Sequence, residues 1–199
     1  MTTLVDHNRA LKRAGLPTLE TLTRRIVRVF DRATPADVES GSTWYSEAQD
    51  LATDLGRTSG HGRLVAAAVI SHLSPRTTWT RNVTGAITLL TYGERADGII
   101  GANFERASRV LTDGYDDPAD SFGGPKTRRF YLNIIGDTEA VTVDVWAARV
   151  AGVEESLLGR KGVYDAVERA YQDAARSLGL EPSTVQATTW IVARGGRAK

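Results

Sequence analysis

Apolar residues recur every three to four positions along almost the whole 199-residue chain, and nowhere do apolar and polar residues alternate for long enough to line one face of a strand. That regularity predicts an all-α fold. Leu22, Ile26, Val29 and Phe30 share a helical face over 19–33, behind Thr18, a residue type suited to cap the helix. Tyr45, Ala48, Leu51, Ala52 and Leu55 repeat the pattern, as do Leu64, Ala67, Ala68 and Ser71, a run preceded by Gly62 and stopped by Ser74-Pro75. Further helices are expected over 81–92, 103–111, 126–135, 144–150, 163–178 and 183–193. The best strand candidate, 139–143, is short. The polar, Pro-containing stretch 113–121 reads as a connection between two helical lobes of one domain, about 34–120 and 1–33 plus 121–199.

With 41% hydrophobic residues the chain can bury a core, which excludes disorder. The absence of cysteine excludes disulfides, Cys-ligated zinc and Cys-held iron–sulfur clusters, so a reducing cytoplasm is the expected compartment. The N-terminal residues lack the apolar stretch of a signal peptide, and the longest apolar run, 64–70, is too short to cross a bilayer, so no membrane association is expected. His7, His61 and His72 are joined by no carboxylate at metal-ligand spacing, so neither a metal nor another cofactor is expected.

Net charge is only +1, yet its distribution is uneven. Residues 55–93 hold Arg57, Arg63, Arg76 and Arg81 and no acid, and 121–136 hold Lys126, Arg128 and Arg129 and no acid. Acids gather at 113–120 and toward the C-terminus. Two acid-free basic windows suit an anion-facing surface, although solvated faces produce such runs as well.

Within the second window stands Phe122-Gly123-Gly124-Pro125-Lys126-Thr127-Arg128-Arg129, followed by an apolar-periodic run. Two glycines and a Pro suited to a first helical position describe a tight hairpin leading into a helix. The backbone amides at such a helix start favour an anion, and the same residues also suit a plain helix–helix turn. Eighteen positions after Lys126, Asp144 ends a short apolar segment and begins the helical run Val145-Trp146-Ala147-Ala148-Arg149-Val150. An acid there suits an N-cap, and capping is compatible with catalysis.

These two blocks together resemble the helix-hairpin-helix DNA glycosylase superfamily that includes endonuclease III. There a Gly-rich hairpin ends in a Lys, and a Val-Asp opens a helix eighteen residues later. The stretch Leu64 to Trp79 resembles the same superfamily's apolar helix and the segment beside DNA that follows it. The resemblance covers roughly residues 64–150 and implies a two-lobed α-helical, endonuclease III-like fold with the active site in the cleft between lobes. It implies that Gly123 and Gly124 bind a backbone phosphate, that Lys126 is the amine nucleophile and that Asp144 serves the anomeric centre. DNA is the implied partner. Thr127, Arg128, Arg129, Ser74, Arg76, Thr77, Trp79, Arg81 and Asn82 would contact it, and His72, Trp146 and Arg149 would line the pocket around an extruded base.

The sequence departs from that pattern in ways that matter chemically. Without cysteine there is no iron–sulfur tail, and packing of Val185, Trp190 and Ile191 must replace it. Pro75 stands where the superfamily commonly has a Gln, Val145-Trp146 replaces Thr-His, and Ser121-Phe122-Gly123 takes the place of Leu-Pro-Gly. A cluster-less, compact version resembles the phage-associated branch implicated in thymine hypermodification, the glutamyl/putrescinyl thymine pyrophosphorylase and amino-acid:DNA transferase group. That branch implies an amine or amino-acid co-substrate displacing pyrophosphate from a 5-pyrophosphomethyl uracil. A DNA glycosylase/lyase or a catalytically idle DNA-binding module is the alternative, and a monomer is the expected state.

Overall fold

A computed structural model describes residues 3–195. Among them there are ten α-helices and two short 3-10 turns, with no strand. The all-α expectation holds. Contacts divide the described residues into two units, one of residues 3–44 and 138–195 and one of residues 45–137.

The first unit contains α1 (Leu4–Arg13), α2 (Leu19–Phe30), the start of α3 (Pro35–Ser59), α8 (Val145–Ala151), α9 (Val163–Leu178) and α10 (Pro182–Ala193). Three Thr residues begin its N-terminal helices. Thr3 and Asp6 close a reciprocal capping box on α1, Thr18 accepts from the Thr21 amide on α2, and Thr34 and Asp37 exchange the same pair of bonds ahead of α3. α9 presents Val163, Ala166, Val167, Ala170, Tyr171 and Ala174 to the core, and its alanines let it lie close to Leu19, Leu22 and Ile26 of α2. Val185 and Ile191 of α10 are fully buried, while Trp190 is half-buried.

Residues 139–143 form no strand. Val141 and Val143 are buried, and side chains of α9 take the place of ladder partners. Glu168 Oε1 accepts from the Val141 amide at 3.1 Å, while the Tyr164 hydroxyl accepts from the Val143 amide and donates to the Val141 carbonyl, both at 3.0 Å. An extended segment paired by side chains satisfies its backbone as a sheet would, and so shows the strand's β-branched composition.

The second unit contains the rest of α3, α4 (Arg63–Leu73), α5 (Trp79–Tyr92), α6 (Gly101–Thr112), a 3-10 turn Pro118–Ser121 and α7 (Pro125–Ile134). Every residue from Ala66 to Leu73 is buried, so α4 is enclosed on all sides over that stretch and packs against α5, α6 and α7. Near the unit's two ends, Tyr45 meets Phe130 edge-on with ring centroids 6.4 Å apart, and Gln49 packs on Gly136. The divisions fall at 44/45 and 137/138 rather than near 34 and 120, because α7 packs on α4 and Phe122 stacks on His72, which draws 121–137 into the second unit.

Candidate functional site

The hairpin ahead of α7 is fastened by an aromatic stack. Phe122 lies flat on His72, centroids 4.3 Å apart at 14°, and meets Tyr131 of α7 at 5.3 Å. The Ser121 hydroxyl donates its one proton to the Pro118 carbonyl, at 2.6 Å, so the 2.8 Å contact with His72 has the ring Nε2–H donating to Ser121 Oγ. Burial, with the Arg106 charge adding to it, pushes the His72 pKa down to about 4, so the ring is neutral near pH 7. Burial also raises the Tyr131 hydroxyl to about 12, with Asp117 reinforcing the shift and Arg63 opposing it. His72 thus anchors the hairpin as a neutral, buried donor.

Gly123 and Gly124 are not shaped by this fold. Neither has positive φ, and a Cβ on either would meet nothing within 4 Å. Neither glycine is therefore required by a left-handed turn. Gly124 precedes α7 in extended conformation with no side-chain cap, and Pro125 removes one of the amides a cap would serve. Lys126 and Thr127 occupy the first turn half-buried, Thr127 Oγ1 donating to the Gly124 carbonyl at 3.4 Å, and Arg128 is exposed beside them. Arg129 is half-buried and engaged.

The link from α4 to α5 carries the next group. Ser74 Oγ donates to the Ser71 carbonyl, Thr77 Oγ1 to the Pro75 carbonyl, and Asn103 Nδ2 reaches the Pro75 carbonyl from α6. Arg76 is exposed with φ +58, the one described residue other than glycine at positive φ, a conformation costing on the order of 1 kcal/mol. Arg81 is exposed and lies along Gly98, and Trp79 is half-buried against Phe130 at 6.5 Å. Asn82 departs from expectation: it is 1% exposed with Oδ1 unpartnered, because its position on α5 turns it into the interior of the unit. It cannot touch DNA in this conformation.

Asp144 belongs to the first unit. It caps α8, Oδ1 accepting from the Trp146 and Ala147 amides at 2.9 and 2.8 Å, while Oδ2 accepts from the Trp190 indole at 3.0 Å. Three donors on two oxygens fix the carboxylate plane. Trp146 is half-buried with the Arg149 guanidinium 5.0 Å from its ring centroid, so Arg149 stacks rather than pairing with an acid. The indole on Asp144 escaped sequence reasoning, since nothing in the spacing joins positions 144 and 190. Ser121 and Phe122 also escaped it, although an aromatic in place of the hairpin's leading Pro was the available signal.

Within the second unit the structure thus groups the hairpin residues with His72, and Trp79 with Phe130. Within the first it groups Asp144 with Trp190 and Trp146 with Arg149. Comparison with curated proteins and with solved structures returns no match. Residues 8–197 match the model of a family of unknown function, DUF7178, and since the match spans nearly the whole sequence, the chain belongs to that family.

Proposed function

We propose that this protein processes an extruded thymine- or uracil-type base of DNA, as a hypermodification transferase, with Lys126 and Asp144 as its catalytic residues. The observation that carries the reading is the lead-in to α7. Glycines at 123 and 124 serve neither backbone conformation nor internal packing, the amides behind them have no side-chain cap, and Lys126 and Arg128 stand in the first turn. A site that needs no side chain for its own folding suits the close approach of a phosphate, and the helix start and nearby cations favour its charge. The strained, exposed Arg76 in an acid-free loop supports the same reading.

In the proposed reaction the lone pair of an amine forms a C–N bond to the 5-methylene carbon as the C–O bond to pyrophosphate breaks. Pyrophosphate leaves with that electron pair, the nitrogen releases a proton, and the base stays on its sugar. Lys126 meets the negative charge gathering on the leaving group, and Asp144, its plane set by three donors, holds an acceptor oxygen for the amine.

The test is nucleoside mass spectrometry after incubation with DNA carrying 5-hydroxymethyluracil or its pyrophosphorylated form and candidate amines. The expected product is an amine-bearing base on an intact strand, heavier than 5-hydroxymethyluracil and without the pyrophosphate, lost in Lys126→Ala and reduced at least about 100-fold in Asp144→Asn. Base loss with a borohydride-trapped adduct that Lys126→Ala lacks would replace this reading with a glycosylase/lyase. Neither product from folded protein would leave a DNA-binding module without chemistry.

A further inference from the structure

Apart from the candidate site, the first unit carries a groove of about 440 Å³ lined by Arg25, Arg28, Val29 and Arg32 of the α2 region and by Val150 of α8. No acid lines it. Arg25 and Arg28 lie one turn apart on α2, and Arg32 follows in the turn whose amide still donates to the Val29 carbonyl. Like charges at such spacing repel by a few tenths of a kcal/mol per pair, a cost that a bound anion would offset.

The site is built rather than incidental. Arg25 Nη1 donates to the Ala151 and Gly152 carbonyls at 3.3 and 3.2 Å, which ties the guanidinium to the C-terminal end of α8. Gly152 makes room for it, since a Cβ there would overlap the Arg25 guanidinium. The other two Arg25 nitrogens make no hydrogen bond within the described residues, and Arg28 and Arg32 are exposed with no ion pair there. An adjoining groove lined by Arg149 also holds Glu154 and Glu155, so the absence of acid from the α2 groove is a local property and not that of the whole surface.

We infer that this groove is a phosphate-contacting surface for a nucleic-acid backbone, with Arg25 as its fixed member and Arg28 and Arg32 as its adaptable ones. Guanidiniums pair with phosphate oxygens through two parallel N–H donors, and Val29 and Val150 supply an apolar floor beside which such charge-assisted bonds are less screened by water. The choice of DNA as the polyanion rests on the function proposed above.

The experiment measures DNA binding by fluorescence anisotropy across a salt series, for the whole chain and for the double variant Arg28→Gln/Arg32→Gln. Arg25 is kept because it holds α8. Each phosphate contact adds about 0.9 to the slope of log K against log salt, so the variant is expected to lose close to 2 from the slope and to bind about tenfold more weakly near 0.1 M salt. Arg28→Lys/Arg32→Lys, which keeps the charge, should retain the slope. Unchanged affinity and slope in the Gln variant, with an unchanged melting temperature, would overturn the inference, even if it weakened pyrophosphate binding, because the groove would then be a small-anion site. A reduced slope in a protein that alters no base would uphold the groove and sink the transferase reading. No DNA binding by the wild-type chain would overturn both.

Discussion

His72 shows how a single side chain can carry a pH dependence through its surroundings. Its pKa stands near 4 in the folded protein, against about 6.5 when unfolded, because burial disfavours the imidazolium and Arg106 adds to that. Above pH 6.5 the ring is neutral in both states and nothing is lost. As pH falls from 6.5 toward 4 the unfolded chain takes up a proton that the folded one refuses, so stability declines by at most about 3 kcal/mol over that window. His72→Phe keeps a flat ring against Phe122 and removes the titration. Thermal melts at pH 7 and pH 4.5 should therefore differ less for the variant than for wild type, and an equal drop in both would show that the ring protonates freely in the fold. Ser121 needs no partner replaced, since its proton already goes to the Pro118 carbonyl.

At the scale of elements, two glycines differ in what surrounds them, one inside a helix and one ahead of the next. Gly41 sits in α3, where glycine costs about 1 kcal/mol relative to alanine, yet a Cβ there would overlap Thr188 Oγ1 and stand 2.8 Å from the Thr188 backbone nitrogen in α10. Gly41→Ala should lower stability by about 1–3 kcal/mol and the melting temperature by several degrees, because overpacking outweighs the propensity gained. Gly123→Ala, with open space around it, should leave the melting temperature within about a degree or two. Calorimetry on both variants separates the cases, and equal shifts would contradict the close crossing. The same elements mark how far the sequence could be read. Periodicity located α2, α4, α6, α9 and α10 to within a few residues, because each has a marked apolar face or an unbroken apolar run. It placed the start of α3 ten residues late, since Gly41, Ser42 and Thr43 interrupt the apolar pattern; the Thr34–Asp37 capping box was the better marker. α1 went unread for a similar reason: its signal is the Thr3–Asp6 box rather than a long stripe. Of the candidate site, the Asp144 cap was legible from local spacing. The burial of Asn82 and the Trp190 contact depend on packing between helices distant in sequence, which no window of residues contains.

For the whole molecule, the order of the chain matters as much as its packing. The first unit is assembled from two separated stretches, whereas the second is one continuous stretch, 45–137, organised around α4, buried from Ala66 to Leu73. Basic character follows neither unit as a whole: it collects in the hairpin, the α4–α5 link and the α2 groove, which is why a net charge of +1 hides it. In refolding followed by pulsed hydrogen exchange, amides of α4 to α7 are expected to gain protection before those of α2 and α9, and simultaneous protection would show that the two units fold as one. The packing of Gln49 on Gly136 gives that order a kinetic meaning. Holding the ends of a 93-residue stretch together as an open coil costs about 4 kcal/mol of chain entropy, before any constant term. A second unit already folded has brought its ends together, so α2 and α9 meet across a short clip instead of a long loop. On a ribosome adding about 5–20 residues per second, the remaining 58 described residues, 138–195, take roughly 3–12 s to emerge. During that delay α2 waits with Leu22 and Ile26 uncovered, which makes the α2 face, rather than the completed fold, the place where a chaperone would be needed.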